Sequence, residues 1–553
     1  MTTVVNQPTA AALAGRILAE RQRLVDTLGD PRAAQDRVLA EALAANAATE
    51  FGAAHGFAGL AGVDDFRRAV PIRTHEEFMT WIRRTIDGER RVLTADQPQV
   101  YFSSSGTTGR EKYIPVTPTY MRTVFLAFYY AGFAKVLEHH RDLLGDDEAV
   151  LNLWQDPTAY VDHTSAGQPH IGPSQVDYGK FGEHAAVGPG TNAPWSRVLD
   201  EYADSGPWER AYLRLRLAAD RDVRWVIAVN PAMVAALPYQ LEQCWPRIVE
   251  EIHAGTLGGR PYGSPNPARA RQLEKIAAYR GVLRPSDLWP RLKLIISWNT
   301  ALSSLYLPGV REQFGEGVRV LSAPIASCEG PVGVPVDRHP SAGPLYLPGC
   351  FYEFIAAEDE ITPDATTLLA EQLADGHEYH VVLTHVGGLY RCATNDIVRV
   401  AGFAGRTPRV EYAGRSVPLT AGPVRLTEPQ SVRAIAAALA DTGLFTKNAT
   451  SRVTGAPARY EVAMALTDAP TVTEVEALAQ ALDRRLGEQS APYRAARSAG
   501  ELAAARLVPT DPDAFLREWE RRVRAGQRPP RVKDRVFQTD PEVWHRLVGG
   551  ADR

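Results

Sequence analysis

The stretch "SSSGTTGREK", Ser103 to Lys112, decides how the rest of the chain is read. Five hydroxyls, two glycines and two cations crowd ten positions, with Glu111 the only acid. It follows the short β-rich "VYF" and runs into "YIPVT". Backbone N–H groups and rotatable hydroxyls in such a loop can wrap an oxyanion, and Lys112 adds charge, so phosphate is the ligand it suits. Two familiar versions of that chemistry are excluded. A Walker loop needs four residues between its glycines and Lys followed by Ser or Thr, whereas Gly106 and Gly109 are separated by two residues and Lys112 precedes Tyr113. A GxGxxG dinucleotide turn is also absent. A solvated turn remains the bland alternative for a lone loop of this kind.

Outward from the loop, the chain reads as α/β. "RVLTADQPQVYF" leads into it as a strand, and "RWVIAVN", "LKLIISW", "VRVLSAPIA", "GCFYEFIAA", "EYHVVLTHV" and "DIVRVAGFAG" are short β-rich runs bounded by turn residues. Several are almost continuously apolar, as in strands covered on both faces. Helical patterns alternate with them, notably "AMVAALPYQLEQCWPRIVEEIHAG", and residues up to about 90 are helical in pattern. Gly and Pro cluster in "GRSVPLTAGPVRLTEPQ". Beyond it lie the strand "RYEVAMAL" and the helices "TVTEVEALAQALDRRLGEQ" and "PDAFLREWERRVRAG". This predicts a large domain over 1–420 and a small α+β domain over 421–553.

At 553 residues the chain exceeds one core, which agrees with two domains. A net charge of -4 argues against a nucleic-acid partner. Cys244, Cys328, Cys350 and Cys392 have no metal spacing and suit reduced thiols in a cytoplasm. The N-terminus reads as an amphipathic helix with Arg16, Arg21 and Arg23 outward, without a leader pattern. The most apolar run, "VFLAFYYAGFAKV", is too short for a bilayer, so no membrane association is expected. His163, His170 and His184 have no ligand spacing and receive no role.

Three distant stretches join the loop: "ASCEG" at Ala326–Gly330, "GLYRCATNDIVRV" at Gly388–Val400, and "EYAGRSV" containing Arg415. In order and spacing the four resemble the phosphate loop, acidic motif and ribose motif of adenylate-forming enzymes. The nearest resemblance is to the Gretchen Hagen family of acyl-acid amido synthetases, whose plant members join auxin or jasmonate to amino acids. "TEFGAAHGF", "DFRRAVPIRTHEEF", "LWPRLKLIISW", "FYEFI", "EYHVVLTHVGGLYR" and "LDRRLGEQSAPYRAAR" extend it nearly end to end.

The resemblance implies an adenylate-forming fold: a large domain of mixed sheets flanked by helices and a small mobile C-terminal domain. It implies a ligase that uses ATP and Mg2+ to convert a small-molecule carboxylic acid to an acyl-adenylate, then transfers the acyl group to an amine. Ser104, Ser105, Gly106, Thr107 and Thr108 would cradle phosphate, with Lys112 beside them. Glu329 matches the acidic residue that helps hold magnesium, and a hard carboxylate suits an ion shared with phosphates. Thr300 and Ser327 would line the nucleotide. Asp396 matches the ribose-binding aspartate, whose two oxygens suit a vicinal diol. Arg415 matches a second nucleotide-facing position. Phe125, Phe128, Tyr129 and Phe133 share one helix face and would bind the acid, although such a stripe is also how a core helix reads. Lys533, Arg528 and Arg531 are alternative cations for adenylation.

The chain departs from its relatives at Asn395, where they carry glycine, and at Cys392 and Ala393, where they carry Tyr-Arg. Asparagine is among the few residues that tolerate positive φ, so the ribose contact can survive. Two other readings stay open here: a thiol-accepting ligase using the same adenylate, and a nucleotide-binding protein without catalysis. Cys328 reads as a packing residue. The hinge of the small domain is expected over Val417–Pro429.

Overall fold

The strand Glu378–His385 lies one in from the edge of a six-stranded sheet and is buried along nearly its whole length. Its neighbours, Phe351–Ala356 on one side and Leu389–Ala404 on the other, both run antiparallel to it. Thr407–Arg415 and Gly343–Pro344 complete that side, and Arg73–Thr74 adds to Leu389–Ala404 in parallel, with Arg73 opposite Cys392. The apolar runs therefore report coverage of both faces rather than strand direction. The computed structural model describes residues 10–105, 111–140, 146–155, 161–176, 189–190, 193–196, 200–202, 204–337 and 339–549.

The chain divides into two units, 1–147 with 155–192 and 322–412, and 148–154 with 193–321 and 413–553. The first holds the six-stranded sheet and a second sheet ordered Glu111–Val116, Val100–Ser105, Pro169–Ile171, Asp162–His163. Of "RVLTADQPQVYF" only its end is strand, from Val100. Glu353 is a charged residue wholly buried in a sheet, at 1% exposure. It is satisfied by Arg391 Nε at 2.8 Å, Arg67 Nε at 2.9 Å and Thr367 Oγ1 at 2.6 Å. Buried charges persist only when paired in this way.

The second unit contains a sheet ordered Arg319–Ser322, Leu294–Ser297, Trp225–Ile227, Val150–Asn152, with parallel pairing at its centre. The long helix Pro231–Ala254 crosses between Trp225–Ile227 and Leu294–Ser297, running through Pro238 and Pro246. Its first turn is capped by Asn230, whose side chain accepts from Ala232 N. The same unit holds Thr446–Thr454, Arg459–Leu466 and Arg506–Thr510 as a three-stranded sheet with helices Glu428–Thr442 and Val472–Gln489. Both helices open with capping boxes, from Thr427 and Thr471.

The Gly/Pro segment differs from the hinge expected of it. Leu419–Ala421 and Val424–Leu426 form a hairpin, and Ala421, Val424 and Leu426 are buried in the C-terminal core with Ile435, Tyr460 and Leu482. Gly422 (φ 58°) makes its turn. The backbone outside strands shrinks to Ser416–Pro418, where Val417 is exposed.

Candidate active site

Val100–Ser105 and Glu111–Val116 pair antiparallel, with Ser104 opposite Lys112, so the Ser/Gly-rich loop joins two strands of one hairpin. Gly106, Thr107 and Thr108 lie outside the described residues, as do the side chains of Ser104 and Ser105. The strand register aims Lys112 at one partner: its Nζ makes a short ion pair with Glu329 Oε1. Two histidines brace that strand. His170 Nε2 lies 3.3 Å from the Lys112 carbonyl and stacks on Tyr113 at 3.7 Å, while His75 Nε2 reaches the Tyr113 carbonyl at 2.9 Å.

Glu329 sits in a tight turn between Ile325–Ala326 and Pro331–Gly333. Ser327 N donates to Gly330 O (3.0 Å) and Gly330 N donates back to Ser327 Oγ (3.3 Å), so Ser327 shapes the turn. The Glu329 carbonyl is 2.8 Å from His385 Nε2, and Gly387 N donates to His385 Nδ1 at 3.0 Å. Burial holds the His385 ring at a pKa of about 4, hence neutral, and these two bonds assign its proton to Nε2. Gly387 is required here: a Cβ would lie 2.8 Å from the Tyr120 ring, which itself leans on His385.

Burial alone would raise the Glu329 carboxyl, but the charge and hydrogen bond of Lys112 outweigh it and hold the acid below its ordinary value. Burial would likewise lower Lys112, and Glu329 more than compensates, with Cys392 and Asp396 contributing. Both groups are therefore ionised at neutral pH. Asp396 is thus close enough for its charge to act on Lys112.

Asp396 is presented by an irregularity of the long strand. His380 pairs with Ile397 but Val382 pairs with Ala393, so extra residues on the Leu389–Ala404 side bulge out. Asn395 takes φ 64° there, the left-handed region in which asparagine can replace glycine. Cys392 and Ala393 are wholly buried and pair in parallel with Arg73 and Thr74. Four residues before Asn395, Arg391 also has positive φ (50°), held by Glu353 and the Arg67 and Val70 carbonyls.

The aromatic stripe begins in a π-helical turn, Met121–Phe125, and continues in the helix Leu126–His139. Such turns mark functional sites more often than chance. Phe125 packs against Phe102 (5.1 Å) and Tyr129 (4.9 Å). Burial raises the hydroxyls of Tyr129 and Tyr120, with Cys328 contributing to both and Glu329 to Tyr120, so this face lies beside the acidic turn. Phe128 has no exposed surface and packs between Tyr129 and Tyr346. Phe133 is half-buried one turn on.

In the second unit, Thr300 follows the strand Leu294–Ser297 at its carboxyl end, where open parallel sheets bind ligands. It caps the turn Ala301–Leu305, with Ala301 at φ 52°. Lys533 Nζ stands 5.2 Å above the Trp298 ring, two residues before Thr300. Arg528 precedes the short turn Pro529–Arg531, and Arg415 ends its strand with its N donating to Glu428 Oε2 at 2.9 Å. Trp298, His385 and Asp534 carried no sequence signal. Their partners are fixed by pairings across the fold.

Models described as the GH3 family N-terminal, central and C-terminal domains match residues 20–318, 344–415 and 430–542. The "Probable indole-3-acetic acid-amido synthetase GH3.1" of Oryza sativa subsp. japonica is 29% identical, over 69% of this chain and 65% of its own length. The chain thus spans just under two thirds of that relative. The jasmonoyl–L-amino acid synthetase JAR6 of Nicotiana attenuata is 25% identical over 87% of each chain. Among solved structures, the AtGH3.15 acyl acid amido synthetase in complex with 2,4-DB superposes with a TM-score of 0.78 at 22% identity, covering 98% of this chain and 96% of that one. Among the described residues no helix is long and apolar enough to cross a membrane.

Proposed function

The chain belongs to the GH3 family, and from that membership and the site's geometry we propose that it is an ATP-dependent acyl-acid amido synthetase. The observation that carries the reading is the buried Lys112–Glu329 pair, which joins the strand leaving the phosphate loop to the acidic turn with Asp396 in electrostatic range. A carboxylate substrate attacks the α-phosphorus of ATP, pyrophosphate leaves, and an amine then displaces AMP from the acyl-adenylate. Lys112 and the loop neutralise phosphate charge, which is what an in-line displacement between anions needs. Asp396 accepts from the ribose hydroxyls. Thr300, Ser327 and Arg415 flank the nucleotide.

The residues fit a magnesium ion shared with the nucleotide. Among the described residues no group of three or more His, Cys, Asp or Glu could hold a metal, so the protein's share would be the ionised Glu329 carboxylate. When bound, the ion supplies further charge neutralisation at the phosphates.

The acid is one with an aromatic or apolar body, because Phe125 and Tyr129 lead to the acidic turn. The amine is an amino acid or a related amine, as in the names of the relatives. It must react as the free base, since an ammonium has no lone pair. Among the C-terminal cations our choice for adenylation is Lys533, the one standing over Trp298. The C-terminal domain changes position between the half-reactions, pivoting at Ser416–Pro418. Pyrophosphate release across a panel of carboxylic acids, with and without amines and coenzyme A, tests the reading. An acid that releases pyrophosphate and yields an amide supports it; a thioester formed faster than every amide overturns it.

A further inference from the structure

Residues 532–538 form an extended strap across the second unit. Asn230 Nδ2 donates to the Val532 carbonyl at 2.9 Å, and Val532 is buried against Ala232, Ala236, Trp519 and Val523. Further along, Ser451 N donates to Val536 O (2.7 Å) and Gln538 N donates to Ser451 O (2.8 Å), while Val536 is buried with Leu302 and Val432. Extended backbone alternates its side chains. Val532, Asp534 and Val536 therefore face inward, and Lys533 and Arg535 are exposed.

Between the two apolar anchors lies an acid. Asp534 Oδ2 accepts from the Tyr306 hydroxyl at 2.7 Å and Oδ1 accepts from Asn448 Nδ2 at 2.9 Å. Tyr306 follows the turn after Thr300, and Asn448 belongs to the strand Thr446–Thr454 of the C-terminal sheet. One carboxylate thus ties three parts of the chain at a single point, beside the residue whose ammonium stands over Trp298. An acid is an expensive way to fill a site where no cation comes within ion-pair distance among the described residues, since its desolvation is not repaid by a partner charge. Arg522 acts on it only at longer range, and burial raises its pKa.

We propose that Asp534 is a positioning residue: through Tyr306 and Asn448 it fixes the strap in the register that lays Lys533 on Trp298 for the adenylation half-reaction. The inference rests on the function proposed above. Its specific consequence is a split between half-reactions, since amine attack on a finished adenylate does not use that cation.

The test compares Asp534→Asn, Tyr306→Phe and Lys533→Ala, alone and with Lys533→Ala added to each of the first two. Acid-dependent ATP–pyrophosphate exchange should fall at least tenfold in each single variant. Amide formation from supplied acyl-adenylate and amine should stay within twofold of wild type. Adding Lys533→Ala to Asp534→Asn should slow exchange no further than Lys533→Ala does alone, because Asp534 acts through that residue. Parallel loss of both half-reactions, or losses that multiply in the double variant, would overturn the proposal. A second readout needs no substrate: tryptic cleavage after Lys533 and Arg535 should be at least fivefold faster in Asp534→Ala, and equal rates would also overturn it. If no acid supports exchange by the wild type, the proposed function fails and the cleavage rates alone decide the strap.

Discussion

Replacing Lys112 with methionine removes the only ion-pair partner of Glu329 among the described residues. The side chains are 18% and 3% exposed, respectively, so the two halves of the pair are not equivalent. Without Lys112 the carboxylate is left buried and uncompensated, a situation that costs about 3–5 kcal/mol. Glu329→Gln keeps the shape and leaves an ammonium that still reaches water, so its cost should be nearer about 1–2 kcal/mol. The double variant removes both charges and should recover about 1–3 kcal/mol of the Lys112→Met loss. In urea, with a slope of about 3 kcal/mol/M, the Lys112→Met midpoint should fall by about 1–1.7 M. Unfolding followed by tryptophan fluorescence for the four proteins reads these values. Equal losses in the two single variants, or losses that add in the double, would refute the assignment of this pair as a buried, mutually dependent unit.

Three further outcomes follow from the same geometry. Asp396→Ala should weaken ATP binding tenfold or more by calorimetry, since hydrogen bonds to a charged acceptor are worth about 1.5–3 kcal/mol; unchanged affinity in folded protein removes it from the site. Asn395→Gly should be tolerated, whereas Asn395→Ala should cost about 1–2 kcal/mol because its φ of 64° is left-handed; equal melting temperatures would contradict that. Burial raises the Asp534 carboxyl above its ordinary value against the bonds of Tyr306 and Asn448 and the charge of Arg522. A carboxyl raised on folding gives its full stabilisation below the unfolded value of about 3.9 and loses it as pH climbs through the folded value. Asp534→Asn should therefore gain thermal stability relative to wild type as pH rises from about 4 toward neutrality, and a gap that stays constant with pH would refute the burial.

Much of the fold and part of the site were legible because they are written in local pattern. The buried strands read as apolar runs, and Asn395 announced its backbone by replacing a glycine. What was not legible depends on pairing across the chain. His385 braces Glu329 because the fold sets the end of the strand Glu378–His385 against the acidic turn, and histidine in a strand carries no mark of that. Phe128 falls on the same stripe as Phe125, and only the position of Tyr346 makes it core. The hairpin at Leu419–Leu426 has the composition of a hinge, and the apolar positions that bury it alternate with turn residues that conceal it. Asp534 looks like one more charge in a charged tail until Tyr306 and Asn448 close on it.

The claim that the acid attacks the α-phosphorus of ATP is tested most directly by isotope transfer. An accepted carboxylic acid labelled with ¹⁸O in its carboxylate is turned over with ATP and an amine, and the AMP is analysed by mass spectrometry. The account predicts one acid-derived ¹⁸O in AMP for each amide formed, since the bond to phosphorus is made by the carboxylate and broken at carbon. Unlabelled AMP, or ADP as the nucleotide product, would contradict it.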